Sequence, residues 1–269
     1  MLKQITPRRR GFTLIEILVA IAIIAILISI LLPAMEHVRH QGYIATCASN
    51  LRQIGAALSM YANDNHGEYP RTVYVPGAAI AHGTAANSVN PFDPATGPAA
   101  NDVTASVYLL LRTQKLPPTC AICPYNDVNE FQPDHSDPLS HSNFQDYKKN
   151  LGYSFANPYP DAAAVLKGYR LTTKLGAEFA IAADLNPGIR LPRHDVTAPL
   201  PDSPSSIKKK ALSDNHEQDG QNVLYGDGHV GWEKSVFCGK RGDNIYTNQN
   251  KLVEASPVTK DDSVLLPAE

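Results

Sequence analysis

The sequence predicts an α+β fold, one long N-terminal helix packed on a small antiparallel sheet. Three observations predict it. An unbroken apolar run, Phe12 to Leu32, leads into a helical-period apolar stripe that lasts to about Asn63. Short β-like runs are confined to the second half of the chain. Gly226-Asp227-Gly228 separates the last two of these runs as a tight hairpin signal.

The first element is the apolar run FTLIEILVAIAIIAILISILL, whose one charge is Glu16. As a helix it spans roughly 30 Å, the thickness of a bilayer core. Lys3, Arg8, Arg9 and Arg10 precede it with no acid among them. A basic segment before an apolar one is also the pattern of a secretory signal peptide. Here, however, the run exceeds the usual signal core and no A-x-A-like site follows it. A twin-arginine signal would leave Glu16 unexplained. A charge inside a membrane helix costs at least ~2–3 kcal/mol, so Glu16 is a functional residue by default.

Beyond the run, Ile44, Cys47, Leu51, Ile54, Leu58 and Tyr61 alternate steps of three and four. That spacing draws one apolar stripe along a helix, with Arg52, Gln53 and Asn63 off it. The stripe is expected to pack on the protein's own sheet. Gly42 and Pro33 are the expected weak or bent points. Asn63-Asp64-Asn65-His66-Gly67 brings turn and C-cap chemistry to the helix end. Residues 76–106, rich in Ala, Pro, Asn, Gly and Thr, read as an exposed loop-rich insertion. Ser106 to Leu116 reads as a short helix stopped by Pro117-Pro118. Leu151 to Ala156, Glu178 to Ala183, Gln221 to Tyr225 and His229 to Glu233 read as strands.

Arg10-Gly11-Phe12-Thr13-Leu14-Ile15-Glu16 resembles the processing signal of type IV pilins and type II secretion pseudopilins. The resemblance implies cleavage by prepilin peptidase between Gly11 and Phe12 and N-methylation of the new terminal Phe12. It implies an assembly role for Glu16, paired with the terminal amine of a neighbouring Phe12. Pro33 falls where many pilins carry a kinking proline. The implied function is a structural, non-enzymatic subunit of a type IV pilus-like filament or a secretion pseudopilus. Its partners would be prepilin peptidase, copies of itself and other pilin-like subunits, an inner-membrane assembly platform and membrane lipid. By the positive-inside rule the arginines hold the N-terminus in the cytoplasm, with the head periplasmic. The expected organisation is a leader at 1–11, a transmembrane and assembly helix at 12–32, the soluble half of the helix at 33–66 and a pilin-like α+β head at 67–269. The segment from Cys47 through Asn50, Leu51 and Gln53 to Tyr61, Tyr69 and Pro70 also resembles the helix end of bacterial pseudopilin-like proteins.

His216 followed by Asp227-Gly228 resembles a C-terminal region, described as H-X9-DG, found on prepilin-type proteins, with one residue more than that name allows. Asp184, His216, Asp227 and His229 are candidate metal ligands. Imidazole with carboxylate suits a transition metal, and the loops Asp184-Leu185-Asn186 and Asp214-Asn215 suit Ca. Major pseudopilins often hold Ca in this region. The simpler and preferred account has Asp227-Gly228 making the turn and His216 bonding across it. Four cysteines in an oxidising compartment allow three complete pairings, of which Cys47 with Cys123 is favoured because it staples helix to sheet. Cys120-x-x-Cys123 lacks a second CxxC and a thioredoxin-like surround.

The composition narrows the remaining choices. Balanced charge, 24 basic against 26 acidic residues, argues against nucleic acid as a partner held by a global field. With 43% hydrophobic residues the chain is no disordered tail. No G-x-S-x-G, H-E-x-x-H or phosphate loop occurs. The competing function is a membrane-anchored extracytoplasmic ligand-binding protein or hydrolase using the His216/Asp227 region.

Overall fold

The computed structural model describes residues 13–125, 138–188 and 199–267. Gly11 and Phe12, and with them the processing site, lie outside the described residues. The chain divides into two compact units, Met1–Gly42 and Tyr43–Glu269. Helix α1, Leu14–Asp64, begins in the first and ends in the second.

In the first unit α1 is apolar and exposed, and it is long and apolar enough to cross a membrane. Its start is capped from within the sequence. The Thr13 backbone N–H and hydroxyl both donate to Glu16 Oε2 at 2.8 Å, and the Glu16 N–H donates to Thr13 Oγ1 at 3.3 Å. This is a reciprocal capping box, which satisfies N–H groups that the first helical turn leaves without partners.

In the second unit the apolar stripe is the core-facing side of α1. Cys47, Leu51, Ile54, Leu58 and Tyr61 are buried, joined by Ala57 and Ala62, while Ile44 at the margin is half-buried. Each fully buried Leu or Ile contributes about 1.5–3 kcal/mol. The helix ends as its sequence suggests. His66 and Gly67 take positive φ, and the Gly67 N–H returns to the Ala62 carbonyl at 2.7 Å, closing the last turn.

Helix α2, Val103–Arg112, starts three residues before the expected Ser106. The reason is Asp102, which accepts the Ala105 N–H at 2.9 Å as N-cap. The insertion is therefore exposed only in part. Asn101 and Asp102 are buried, and Asp102 Oδ2 also accepts from the Thr84 N–H, the Thr84 hydroxyl and Asn143 Nδ2. These bonds tie the loop down at its end.

Short helix α3 (Tyr147–Asn150) leads into the sheet, and α4 (Ala162–Leu166) and α5 (Ser205–Lys210) lie between strands. The strands are β1 (Tyr153–Ala156), β2 (Ala180–Asp184), β3 (Gln221–Tyr225), β4 (Val230–Glu233) and β5 (Leu265–Leu266). They form one antiparallel sheet in the order β4-β3-β2-β1-β5. β1, β2 and β3 are buried throughout, and one apolar cluster joins them to α1 and α2. β5 was not expected. It adds to the free edge of β1 through Phe155 and Ala156. The register matters for the site: Tyr153 lies opposite Asp184, and Ala183 lies opposite Val223, so Asp184 reaches the start of β3.

Candidate functional site

Two regions carry chemistry. In the first, the one charge within the apolar run of α1, Glu16, is held by Thr13 in the capping box already described. The second is a buried cluster at the end of the sheet where β2 stops and β3 starts. Cys47 comes from α1, Cys123 from the segment after the 3₁₀ turn Pro118–Ala121, Asp184 from the last residue of β2, and His216 from the 3₁₀ turn Asp214–His216. All four side chains are fully buried.

Local sequence places each of them. The helical stripe turns Cys47 inward. Gly152 lets the chain around Cys123 lie against the start of β1, since a Cβ there would meet the Cys123 backbone N at 2.5 Å. The Gly152 N–H then bonds to the Ala121 carbonyl at 2.7 Å. Ser213 caps the turn that carries His216, accepting the Asn215 N–H at 3.3 Å. Asn215 Nδ2 in turn donates to the Gly152 carbonyl at 2.9 Å.

Cys47 and Cys123 are joined as a disulfide with their Cα atoms 5.6 Å apart. It closes a loop of 76 residues, so it ties α1 to the head. The neighbouring Cys120 stays a thiol. Its Sγ donates to Gln53 Oε1 at 3.1 Å, and burial pushes its pKa up. The CxxC motif is thus divided between a bridge and a free thiol.

Asp184 Oδ2 lies 3.3 Å from His216 Nε2 and accepts the Asn222 N–H at 2.6 Å and Asn222 Nδ2 at 3.2 Å. Asn222 Nδ2 also donates to the Ile44 carbonyl of α1 at 3.3 Å, so one amide links helix, β2 and β3. The His216 ring meets Trp232 edge-on and lies near Tyr125. Burial, with the negative charge of Asp184 behind it, lifts the Tyr153 and Tyr246 phenols well above the usual tyrosine range. Both therefore stay neutral. Tyr153 accepts from Asn50 Nδ2 and Tyr246 donates to the Asp184 carbonyl.

The four expected metal ligands do not converge. Asp184 and His216 meet in the core, whereas Asp227 and His229 meet each other at 2.6 Å on the exposed β3–β4 turn. The cause is the length of β3: from Asn222 to Tyr225 the chain moves roughly 10 Å along the strand before it turns. The preferred account is corrected as well. Asp227-Gly228 does make the turn, with Gly228 at φ +90° and its N–H on the Tyr225 carbonyl at 2.8 Å. His216 does not bond across that turn but lies in the core beside Asp184. The same separation dismantles the hydrolase constellation, since His216 is fully buried and Asp227 stands at the other end of the strand.

In the loop proposed for Ca after β2, Asn186 Oδ1 accepts the Gly188 N–H at 3.0 Å. Asn186 Nδ2 is spent on the carbonyls of Tyr246 and Leu265, and Asp214 Oδ1 accepts from Gln218. Among the described residues, the group of His, Cys, Asp or Glu whose ligand atoms all lie within 4.8 Å of one another is Cys47, Cys123, Asp184 and His216. Sequence reasoning named all four but assigned them to two different sites.

Carboxylates do gather elsewhere. Asp243, Asp261 and Asp262 approach one another near the end of the chain. Burial pushes the Asp243 carboxyl up to about 7, although it accepts the Ser263 N–H at 2.8 Å; nearby Asp262 adds to the rise. Asp262 is raised too, mainly by burial, whereas Lys240 holds Asp261 below its usual range.

Comparison with known proteins agrees with the N-terminal reading. The family described as the prokaryotic N-terminal methylation motif matches residues 6–32. The chain is 39% identical over 67 residues to the type II secretion system core protein G of Escherichia coli K12, a stretch covering 25% of this chain and 46% of the relative. It is 37% identical over 65 residues to core protein G of Pseudomonas aeruginosa, covering 24% and 45%. The chain thus spans about half the length of the curated relatives it matches. No solved structure matches it. The methylation motif, the likeness to core protein G and the long apolar helix with its antiparallel sheet make this chain similar to the pilin-like and pseudopilin family.

Proposed function

We propose that the chain is a structural subunit of a type IV pilus-like filament or a type II secretion pseudopilus. Prepilin peptidase cuts it between Gly11 and Phe12 and methylates Phe12, and the mature chain polymerises through α1. It waits in the inner membrane as a single-pass protein, N-terminus cytoplasmic and head periplasmic. Its partners are lipid, the assembly platform, copies of itself and other pilin-like subunits.

One observation carries this reading. From Leu14 to Leu32 the large apolar side chains of α1 are exposed, and Glu16 is the one charged residue among them. Such a surface needs cover in water, which lipid supplies before assembly and the helices of neighbouring subunits supply after it. Glu16 gives the assembly its register. In the capping box it serves its own helix, and beside another subunit it offers a carboxylate to the ammonium of Phe12. Pairing two charges in an apolar surround favours the one axial position in which they meet.

The test is Glu16→Ala, followed by mass spectrometry of the processed chain and by its recovery in sheared filaments. Processing is expected to continue while incorporation falls to background. Normal incorporation of the variant would refute the register role.

A further inference from the structure

We propose that Cys47, Cys123, Asp184 and His216 form a thiol-gated transition-metal site, loaded in the reduced chain and closed when the two sulfurs join. Both states use the same pair of sulfurs, so they exclude one another. This site stands apart from the filament reading, since it uses neither Glu16 nor the exposed apolar run Leu14 to Leu32.

The donor set argues for the metal class. Two thiolates, one imidazole and one carboxylate suit a borderline-soft divalent ion, and Zn²⁺ takes such ligands in a tetrahedron. Bonds of about 2.0–2.3 Å put neighbouring ligand atoms roughly 3.3–3.8 Å apart in that geometry. The four ligand atoms here already lie within 4.8 Å of one another. They come from four separate elements, and all four side chains are fully buried.

Asp184 supplies the second, independent observation. Its Oδ2 is engaged by Asn222, but its Oδ1 is buried without a hydrogen-bond partner. A buried carboxylate oxygen left in that condition is costly, and a cation beside it would remove the penalty. The Asn222 bonds meanwhile fix the carboxylate's orientation, as outer partners do for metal ligands.

The exchange balances. A dithiol reductant gives two electrons and two protons to the Cys47–Cys123 bridge and becomes a disulfide itself. The bridge opens to two thiols, and a divalent ion then displaces their two protons. In the reverse step a disulfide oxidant takes two electrons from the metal-bound thiolates and two protons from solvent and becomes a dithiol, while the Cys47–Cys123 bridge closes and the ion is released. In either state α1 stays clipped to the sheet, by a covalent bond or through the metal. Newly exported chains, not yet oxidised, would thus have their helix docked before the disulfide forms.

The experiment uses the full chain in detergent micelles, purified throughout with a phosphine reductant so that the bridge never closes, and in parallel in its oxidised form. Co²⁺ is titrated as the probe and Zn²⁺ is then used to displace it. The reduced chain is expected to bind one equivalent, with thiolate-to-cobalt charge-transfer bands and tetrahedral d–d bands, and the oxidised chain none. Asp184→Asn, which keeps the side-chain shape and an acceptor for Asn222, should weaken Co²⁺ binding roughly tenfold or more. Cys120→Ser should leave the titration unchanged. Absence of these bands in the reduced chain overturns the proposal. So does binding that survives oxidation, or binding lost with Cys120→Ser but kept with Cys47→Ser.

Discussion

Replacing Asp243 with Asn should make the head less sensitive to pH, with a sign fixed by the structure. Burial lifts this carboxyl from its ordinary 3.8 to about 7 in the folded chain. Between those values the folded state holds a proton that the unfolded state has released, so stability falls as pH rises through that window. At about 1.36 kcal/mol for each pH unit that separates the folded and unfolded values, the penalty reaches about 4 kcal/mol above pH 7. That is an upper figure, because Asp243 is only partly buried and solvent screens its charge. Lys240 and Arg241 face the neighbouring Asp261 and temper the local field, while Asp262 adds a smaller effect of the same sign. Asn at position 243 can still accept the Ser263 N–H but carries no charge. Urea unfolding of the full chain in micelles, with chelator present, should show the variant more stable than the parent at pH 8, by about 2–4 kcal/mol. At pH 4 the two should be close. An equal difference at both pH values, or a larger one at pH 4, would refute the reasoning.

Two further substitutions probe the packing that presents the site. Leu51→Ala removes a fully buried side chain of the α1 stripe and should destabilise the head by about 2–5 kcal/mol in the same unfolding assay. Asp102→Ala removes the cap of α2 together with the acceptor for Thr84 and Asn143, and should cost about 2–3 kcal/mol. Because the 76–102 loop is tied down there, limited proteolysis should cut this variant within the loop faster than the parent.

What could be read from the sequence, and what could not, follows from how local each signal is. The α1 stripe was legible because a step of three and four repeated over eighteen residues leaves one face, and that face is buried from Cys47 to Tyr61. β3 was legible with both ends correct, Gln221 to Tyr225, because glycines bound it on each side. β5 escaped notice since two leucines carry no alternation, and only the free edge of β1 makes them a strand. The start of α2 was hidden by the Ala- and Asn-rich composition before it, although Asp102 ahead of an apolar segment was a usable capping signal. The buried cluster was half visible. Residue types named Asp184 and His216, the oxidising compartment favoured disulfides, and stapling helix to sheet favoured Cys47 with Cys123. Their meeting in one place depends on the register of β2 against β3 and on the close approach at Gly152. Neither leaves a mark in local sequence. Proximity along the chain instead linked His216 to Asp227, which a strand of this length separates.

Everything proposed about assembly depends on how the N-terminus is processed, and intact mass spectrometry of the chain purified from its native membrane tests it most directly. The account predicts a mature chain that begins at Phe12, carries one added methyl group on its terminal amine and retains the whole of α1. A chain that still begins at Met1, or one cut after Leu32, would contradict it.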